Sequence, residues 1–229
     1  MDQPQHGTSV GAGDRTGAPQ YRAVSGLGVA ASILISLVMV YDILHTVSDW
    51  RVYLVVEDAL AGKATLEDVQ SVDDFAGYFD GLQALAFLIP AGVVFLAWLW
   101  RARLNAESLG GPDSQRRARG WVVGGFAPVA NLWIPYQVVT DIWKASAPRR
   151  SATGPWLAVW SGSLVLGGYV GRAYMNEVMK DTLSEDGLRR AVYLGTVSVA
   201  LDVLAGVLII YIVRQISAWQ TQRSAEALR

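Results

Sequence analysis

Apolar residues of this chain fall into four long runs, separated by segments rich in charges and turn residues. The runs cover residues 24–41, 82–100, 156–171 and 191–213. A bilayer core of about 30 Å is crossed by about 20 helical residues. Runs one, two and four meet that length, and the third approaches it when it is extended to residue 174. Four such runs in 229 residues predict a membrane protein rather than four buried helices of a soluble one.

The two central loops differ in charge, and this difference sets the predicted orientation. Residues 48–81 hold eight acidic and two basic residues, whereas residues 101–155 hold eight basic ones. The eight bases are Arg101, Arg103, Arg116, Arg117, Arg119, Lys144, Arg149 and Arg150. Basic loops stay on the cytoplasmic side of a membrane. We therefore expect a cytoplasmic membrane location, with the second loop and both termini inside.

The tryptophans agree with this orientation. Indole rings favour the headgroup level of a bilayer. Of the nine tryptophans, only Trp50 lies near the proposed outer face. The other eight lie near the proposed cytoplasmic face: Trp98, Trp100, Trp121, Trp133, Trp143, Trp156, Trp160 and Trp219. The inner interface is thus predicted to hold more of the protein than four simple helix ends.

Residues 120–146 form an apolar segment that is too broken for a plain span. Pro128 and Pro135 each remove a backbone donor, and Asn131 lies between them. In lipid, broken backbone persists only where protein or water satisfies it. Two interpretations stay open: an interfacial or re-entrant element over residues 116–146, which we favour, or a fifth span. A fifth span would place the bases that come after it outside, against the charge rule.

The end of this segment predicts an amphipathic helix that begins near Pro135, a residue suited to a first helical turn. Gln137, Asp141 and Lys144 fall on one face, while apolar residues and Trp143 fall mainly on the other. We expect the polar face to meet the cytoplasm and Trp143 to anchor the helix at the membrane surface. The alternative is a helix that caps the bundle.

Linked motifs run from the second apolar run through the central segment. They are Trp98-Leu-Trp-Arg101-Ala-Arg103-Leu-Asn105, Gly120-Trp121, Pro128-x-x-Asn131-Leu-Trp133-x-Pro135 and Asp141-Ile-Trp143-Lys-Ala-Ser146. Over residues 82–213 the chain resembles the bacterial membrane-protein family catalogued as domain of unknown function 4328, known mainly from actinobacteria. The third span of that family tends to begin with paired tryptophans, whereas this chain has Pro155-Trp156. The resemblance implies fold and location and implies no chemistry.

Asp202 lies near the middle of run four, with Ser198 and Gly206 four residues to either side. A carboxylate at this depth is costly and usually faces the interior of a bundle. It indicates either a proton or cation site, or a neutral acid hydrogen-bonded between helices. We expect its partner to be Asn131 or a serine of run one. Asp42 is expected to mark the outer rim of the first helix.

The sequence offers little support for catalysis. Tyr41-Asp42 with Asp202 resembles the aspartate pairing of intramembrane aspartyl proteases, but Ala200-Leu201 replaces their Gly-x-Gly and the two aspartates lie at different predicted depths. The chain has no cysteine, two widely separated histidines, and no nucleotide-binding, serine-hydrolase or zinc-protease motif. We therefore expect no enzyme activity, no cofactor and no metal. A net charge of −1 gives no bulk attraction to nucleic acid.

Small residues recur at a spacing of four in two runs, which lets helices approach closely. They are Gly28, Ser32 and Ser36 in run one, and Ser163, Gly167 and Gly171 in run three. We expect these faces to serve the internal bundle rather than a homo-oligomer. A separate basic set, Arg116, Arg117 and Arg119, is a candidate contact for anionic lipid.

These patterns predict an all-α polytopic membrane protein. It is a four-transmembrane-helix bundle with a broken interfacial or re-entrant helical element between helices two and three. The predicted spans are residues 24–47, 82–101, 156–174 and 191–213, within a transmembrane domain at 23–217. A disordered cytoplasmic tail is expected at residues 1–22 and a second cytoplasmic tail at 218–229.

The functional expectation is a non-enzymatic scaffold or sensor that acts at the cytoplasmic face. Its expected partners are the lipid bilayer and either a copy of itself or another membrane protein. The alternative is a small proton- or ion-coupled transporter or channel that uses Asp202 and the segment 120–146.

The absence of cysteine allows a direct test of this topology. We expect single cysteines at Gln137 and Arg149 to react with a membrane-impermeant maleimide only when the cytoplasmic face is exposed, as in inverted vesicles. A cysteine in the acidic first loop is the control and should react from outside intact cells. Labelling of positions 137 and 149 from outside would contradict the predicted orientation.

Overall fold

The structure, a computed structural model, describes residues 21–77, 81–110, 119–120, 122, 134–148, 154–180 and 184–227. These residues form six α-helices and no strand. The helices are α1 (Ser25–Leu60), α2 (Leu66–Gly77), α3 (Gly81–Gly110), α4 (Ile134–Ser146), α5 (Pro155–Val178) and α6 (Glu185–Ala227). The predicted all-α class is confirmed.

Three of these helices are long and apolar enough to cross a membrane: Ser25–Leu60, Gln83–Leu109 and Glu185–Glu226. They coincide with predicted spans one, two and four, and helices of this kind are typical of membrane-associated proteins. Helix α5, which we predicted as the third span, has 24 residues but is not one of the three. Its glycines, serines and tryptophans lower its mean hydropathy.

Helices α1 and α6 are both longer than a bilayer core is thick. With 36 and 43 residues they measure about 54 and 65 Å, against about 30 Å for the hydrocarbon region. Helix α1 continues to Leu60, and most of the predicted C-terminal tail continues α6 to Ala227. Both helices therefore extend beyond their apolar runs.

The sequence predicts two helix starts, at Thr65-Leu-Glu-Asp68 and at Ser184-Glu-Asp186, and hydrogen bonds confirm both. The Thr65 hydroxyl accepts from the Asp68 amide at 3.2 Å, and the Asp68 carboxylate accepts from the Thr65 amide at 2.8 Å. The hydroxyl and amide of Thr65 both donate to this carboxylate, which holds the pKa of Asp68 below its usual range. At the start of α6 the Ser184 hydroxyl accepts from the Gly187 amide at 3.1 Å. The helical spacing of apolar residues after Thr65 also predicts that this helix continues into the second apolar run. Residues 78–80, on which that continuity depends, lie outside the described residues.

Helix α6 is the central element, because it packs against α1, α3, α4 and α5. At one end of the bundle the chain before α1 meets the ends of α3, α4 and α6. At the opposite end the later part of α1 meets the end of α5 and the start of α6. Consecutive long helices thus run in alternating directions, with α1 and α5 along one direction and α3 and α6 along the other.

Two of the predicted small residues, Gly28 and Gly167, are used inside the bundle, as predicted, whereas Ser36 is exposed. A Cβ atom at Gly28 of α1 would lie 2.7 Å from Ser217 Oγ and 3.3 Å from Trp98 Nε1. A Cβ atom at Gly167 of α5 would lie 2.7 Å from Asp202 Oδ1. These glycines allow α6 to approach its neighbours closely enough for polar contacts to form between the helices.

A methyl group at Gly28 is expected to destabilise the bundle. Ser217 Oγ is held by a hydrogen bond and cannot swing away, so Gly28→Ala should lower the free energy of unfolding by about 1–3 kcal/mol. Gly26→Ala is the matched control on the same helix, because a Cβ atom there meets nothing within 4 Å. Thermal unfolding in detergent measures both variants, and equal unfolding temperatures would contradict this packing.

Candidate functional site

A buried amide pair joins several segments at one end of the bundle. Asn105 on α3 is 1% exposed, and Gln220 on α6 is 0% exposed. Asn105 Nδ2 donates to Gln220 Oε1 at 3.0 Å and to the Arg22 carbonyl at 2.8 Å. Asn105 Oδ1 accepts from the Arg22 amide at 2.9 Å. Gln220 Nε2 donates to the Ala102 carbonyl and to Ser146 Oγ, both at 2.8 Å.

Both amides use each of their donors, and each carbonyl oxygen has a partner. Buried amides that are satisfied in this way specify one arrangement of the elements that carry them. Because the partners belong to the N-terminal segment, α3, α4 and α6, one cluster fixes four parts of the chain. We call Asn105, Gln220, Ser146 and the backbone of Arg22 the amide cluster.

Tyr21 and Arg22 were placed in the predicted disordered tail, and for these two residues the prediction is wrong. The backbone of Arg22 is bound on both sides to Asn105, and the Tyr21 hydroxyl lies 3.2 Å from Thr221 Oγ1. The composition of the preceding residues does not reveal these bonds, because the partners lie far along the chain. Residues 1–20 lie outside the described residues.

Trp98 and Arg101 extend the cluster along α3. Trp98 is 0% exposed, and its Nε1 donates to Ser217 Oγ at 2.9 Å. It is therefore a core residue at the end of the bundle and not a ring at the lipid surface. The exposed Arg101 guanidinium donates to the Ala23 carbonyl at 3.3 Å, just before α1 begins.

Arg103 forms an ion pair with Glu107, and Arg119, one of the predicted lipid contacts, binds the same carboxylate. Arg103 is 2% exposed, and its Nε donates to Glu107 Oε1 at 3.1 Å. The Arg119 guanidinium binds the other oxygen of Glu107, at 2.7 Å from Nε. Arg119 thus ties the chain after α3 back onto that helix. Gly120 lies exposed in the turn after Arg119, while Arg116, Arg117, Trp121, Pro128, Asn131 and Trp133 lie outside the described residues.

Helix α4 confirms the predicted helix near Pro135 but not its predicted setting. Pro135 lies in its first turn, as expected, yet Asp141 and Trp143 are only 4% and 5% exposed. The prediction that this polar face meets water is wrong for Asp141, while Lys144 is exposed and Gln137 is half-buried. The Trp143 ring packs edge-to-face on Trp219 at 4.6 Å, so its prediction as a membrane-surface anchor is also wrong.

The reason is that α4 contacts α3, α5 and α6, so little of either face stays free. The carbonyls of Ala145, in its last turn, and of Ala147, directly after it, accept hydrogen bonds from the Arg223 guanidinium of α6; the bond to Ala145 measures 3.0 Å. A cation at this position satisfies carbonyls that a helix end leaves free. The alternative that we left open, a helix that caps the bundle, agrees with these contacts.

Asp202 lies where α6 packs on α5. Its Oδ2 lies 3.5 Å from Ser198 Oγ, and Ser198 also donates to the Gly167 carbonyl at 3.1 Å. The expected bond to a serine of run one does not occur among the described residues. Ser32 and Ser36 instead donate to carbonyls one turn back on their own helix, both at 2.8 Å.

A line of titratable side chains continues from Asp202 onto α1. A Cβ atom at Gly206 of α6 would meet the Met39 side chain of α1. Because these two helices run in opposite directions, Asp202 and Asp42 each lie about one turn further towards the same end. The two acids therefore lie at a similar depth, and our expectation that their depths differ is wrong. His45 Nδ1 lies 3.4 Å from Asp49 Oδ2, and the Tyr174 hydroxyl of α5 donates to the same oxygen at 3.2 Å. We call these five side chains the acid line. Among the described residues no group of three or more His, Cys, Asp or Glu side chains is arranged to hold a metal ion.

Helix α6 carries both the acid line and the amide cluster. Asp202 and Gln220 are separated by about five helical turns, or about 27 Å, and therefore lie on the same face. Asp202 was predictable as a site residue from its position in an apolar run, whereas Gln220, Ser217 and Arg223 were not predicted. One signal was present: Gln220 continues the helical spacing of the buried Val213 and Ile216, which places an amide on an otherwise apolar face.

An all-α chain with three membrane-length helices, a buried amide cluster and a half-buried acid line has the features of a helical membrane-associated protein. The family model Domain of unknown function (DUF4328) matches residues 62–218, and the chain belongs to this family. The match confirms the resemblance carried by the motifs between Trp98 and Ser146, and it extends beyond residues 82–213. No curated protein and no solved structure matches the chain.

Removal of the Gln220 amide is expected to destabilise the protein strongly. Gln220→Ala leaves the Asn105 side chain, the Ala102 carbonyl and Ser146 with unmet hydrogen bonds, which should cost about 2–4 kcal/mol. Gln222→Ala is the matched control, because the exposed Gln222 bonds only to Glu226 among the described residues, at 3.2 Å. Thermal unfolding in detergent compares the two, and equal losses would show that the amide cluster does not hold the bundle together.

Proposed function

We propose that this chain is a multi-pass protein of the cytoplasmic membrane, with α1, α3, α5 and α6 as its four spans. The bundle end that holds the amide cluster also holds Arg22, Arg101 and Arg223, and the positive-inside rule assigns such an end to the cytoplasm. The described segments nearest to the two termini, residues 21–24 and 217–227, lie at this end. Helix α4 contacts α3, α5 and α6, and Ser146 at its end joins the amide cluster, which favours an inserted element at the cytoplasmic end over a fifth span.

We infer that the protein acts as a non-enzymatic scaffold or sensor at the cytoplasmic face. The observation that carries this proposal is the amide cluster, because it links the N-terminal segment, α3 and α4 to α6. A partner that displaces α4 or either terminal segment would act directly on α6. Helix α6 runs from this end through the bundle to Asp202. A displacement of α6 at the cytoplasmic end would therefore be transmitted to its membrane-spanning part.

The candidate contact surface is smaller than the sequence indicated. Of the stripe that we predicted on α4, Asp141 is buried and Lys144 is exposed. Gln222 on α6 is also exposed and lies one turn before the end of the described helix. We therefore expect a cytoplasmic partner to contact Lys144 and Gln222.

Photo-crosslinking amino acids at Lys144 and Gln222 test the scaffold proposal in living cells. We expect both positions to give adducts with the same partner, identified by mass spectrometry. The same probe at Leu60, which is 66% exposed at the opposite end of α1, is the control and should give no such adduct. Failure at both cytoplasmic positions, or the same adduct at Leu60, would contradict the proposal.

The acid line favours a second candidate, a small proton-coupled transporter or channel. The five side chains of the acid line come from three helices and follow one another in space towards the proposed outer face. Ionisable residues inside a membrane mark proton or ion pathways in many transporters. Of the segment 120–146, the other part of this hypothesis, residues 121 and 123–133 lie outside the described residues.

Proteoliposomes with an internal pH dye test this second candidate. We expect a pH-gradient-driven proton flux for the native protein and its loss in Asp202→Asn, because the amide keeps the shape but cannot release a proton. Asp58→Asn changes an exposed acid near the end of α1 and should leave the flux intact. Absence of flux in the native protein, or an unchanged flux in Asp202→Asn, would rule out a proton route through Asp202.

A further inference from the structure

A groove of about 510 Å³ lies between the start of α1 and the last third of α6, at the bundle end that holds the amide cluster. Its lining includes Ser25 and Val29 of α1, and Arg214 and Thr221 of α6. Gly28 forms part of the same lining, and the absence of a side chain there leaves room between the two helices. The groove uses none of the acid line.

The charge of this groove is positive. Arg214 is exposed, and among the described residues no carboxylate pairs with it. None of the residues that line the groove is acidic. The nearest acid along α6 is Glu226, one turn beyond Gln222, and its carboxylate accepts from the Gln222 amide at 3.2 Å. Within the described part of the chain the Ser25 hydroxyl makes no hydrogen bond, so a hydroxyl donor lines the same groove as the guanidinium.

The depth of the groove matches a lipid headgroup. Arg214 directly follows the last apolar residues of α6, where a span reaches the membrane interface. Exposed apolar side chains continue from the groove towards the middle of the bundle. On α1 these are Val29 and Ile33, which are 48% and 56% exposed, and on α6 Tyr211 is 46% exposed one turn before Arg214. A charged site at the interface thus leads into an apolar surface.

We propose that this groove binds one anionic phospholipid of the cytoplasmic leaflet. Arg214 and the Ser25 hydroxyl bind the phosphate, and an acyl chain lies along Val29 and Ile33. A guanidinium is suited to this role because its planar fork of donors matches phosphate oxygens. The choice of leaflet rests on the proposed topology, while the binding site itself rests on the groove and its charge.

Native mass spectrometry of the full chain in detergent tests the site with phosphatidylglycerol and phosphatidylcholine as probes. We expect the native protein to retain phosphatidylglycerol in preference to phosphatidylcholine. Loss of one basic contact in Arg214→Gln should lower the retained phosphatidylglycerol about fivefold. Arg214→Lys keeps the charge and should keep most of the binding. Val29→Trp should fill the groove and lower retention without any change in charge.

Arg172→Gln is the matched control, because Arg172 is also exposed but lies near the end of α5, at the opposite end of the bundle. It should leave retention unchanged. Equal retention in Arg214→Gln, Arg172→Gln and the native chain would overturn the site, as would equal binding of the two lipids. An error in topology has a different signature: a cysteine at Gln222 would then react from outside the cell, while binding in detergent would still depend on Arg214.

Discussion

The hydrogen bond between the side chains of Asn105 and Gln220 is the contact on which the rest of the structure depends. Both amides are buried, and a buried amide without partners costs about 1–3 kcal/mol for each unmet group. The arrangement that satisfies them places the Arg22 backbone, the Ala102 carbonyl and Ser146 around them. The start of α1, the end of α4 and the packing of α3 on α6 follow from this requirement.

Polar contacts, and not apolar ones, fix the register of the long helices. Apolar side chains pack nearly as well after a small slide of one helix along another, especially where lipid surrounds them. The bond from Trp98 to Ser217 and the contact of Asp202 with Gly167 allow no such slide, because each needs a small residue at one position. Helix α6 carries a partner in both contacts, so its position relative to α1, α3 and α5 is set at two depths.

Features that depend on neighbouring residues in the chain were predictable. Apolar runs gave three of the helices, Thr65 and Ser184 gave two helix starts, and Pro135 marked the first turn of α4. Features that depend on distant residues were not. Periodicity placed Asp141 and Trp143 on opposite faces correctly but could not show that α3, α5 and α6 cover both. Gln220 is a polar residue near a helix end, and its importance follows from its contact with Asn105, which lies on another helix.

Helix α6 is continuous from Glu185 to Ala227, and this continuity limits how the family can vary in length. Each residue added to or removed from an α-helix rotates the remainder of that helix by about 100°. A single insertion between Asp202 and Gln220 would therefore turn one of these side chains away from its partners, whereas a substitution there would not. Relatives of this chain should vary in residue type along this stretch but keep its length, and length changes should instead collect in the connections between helices.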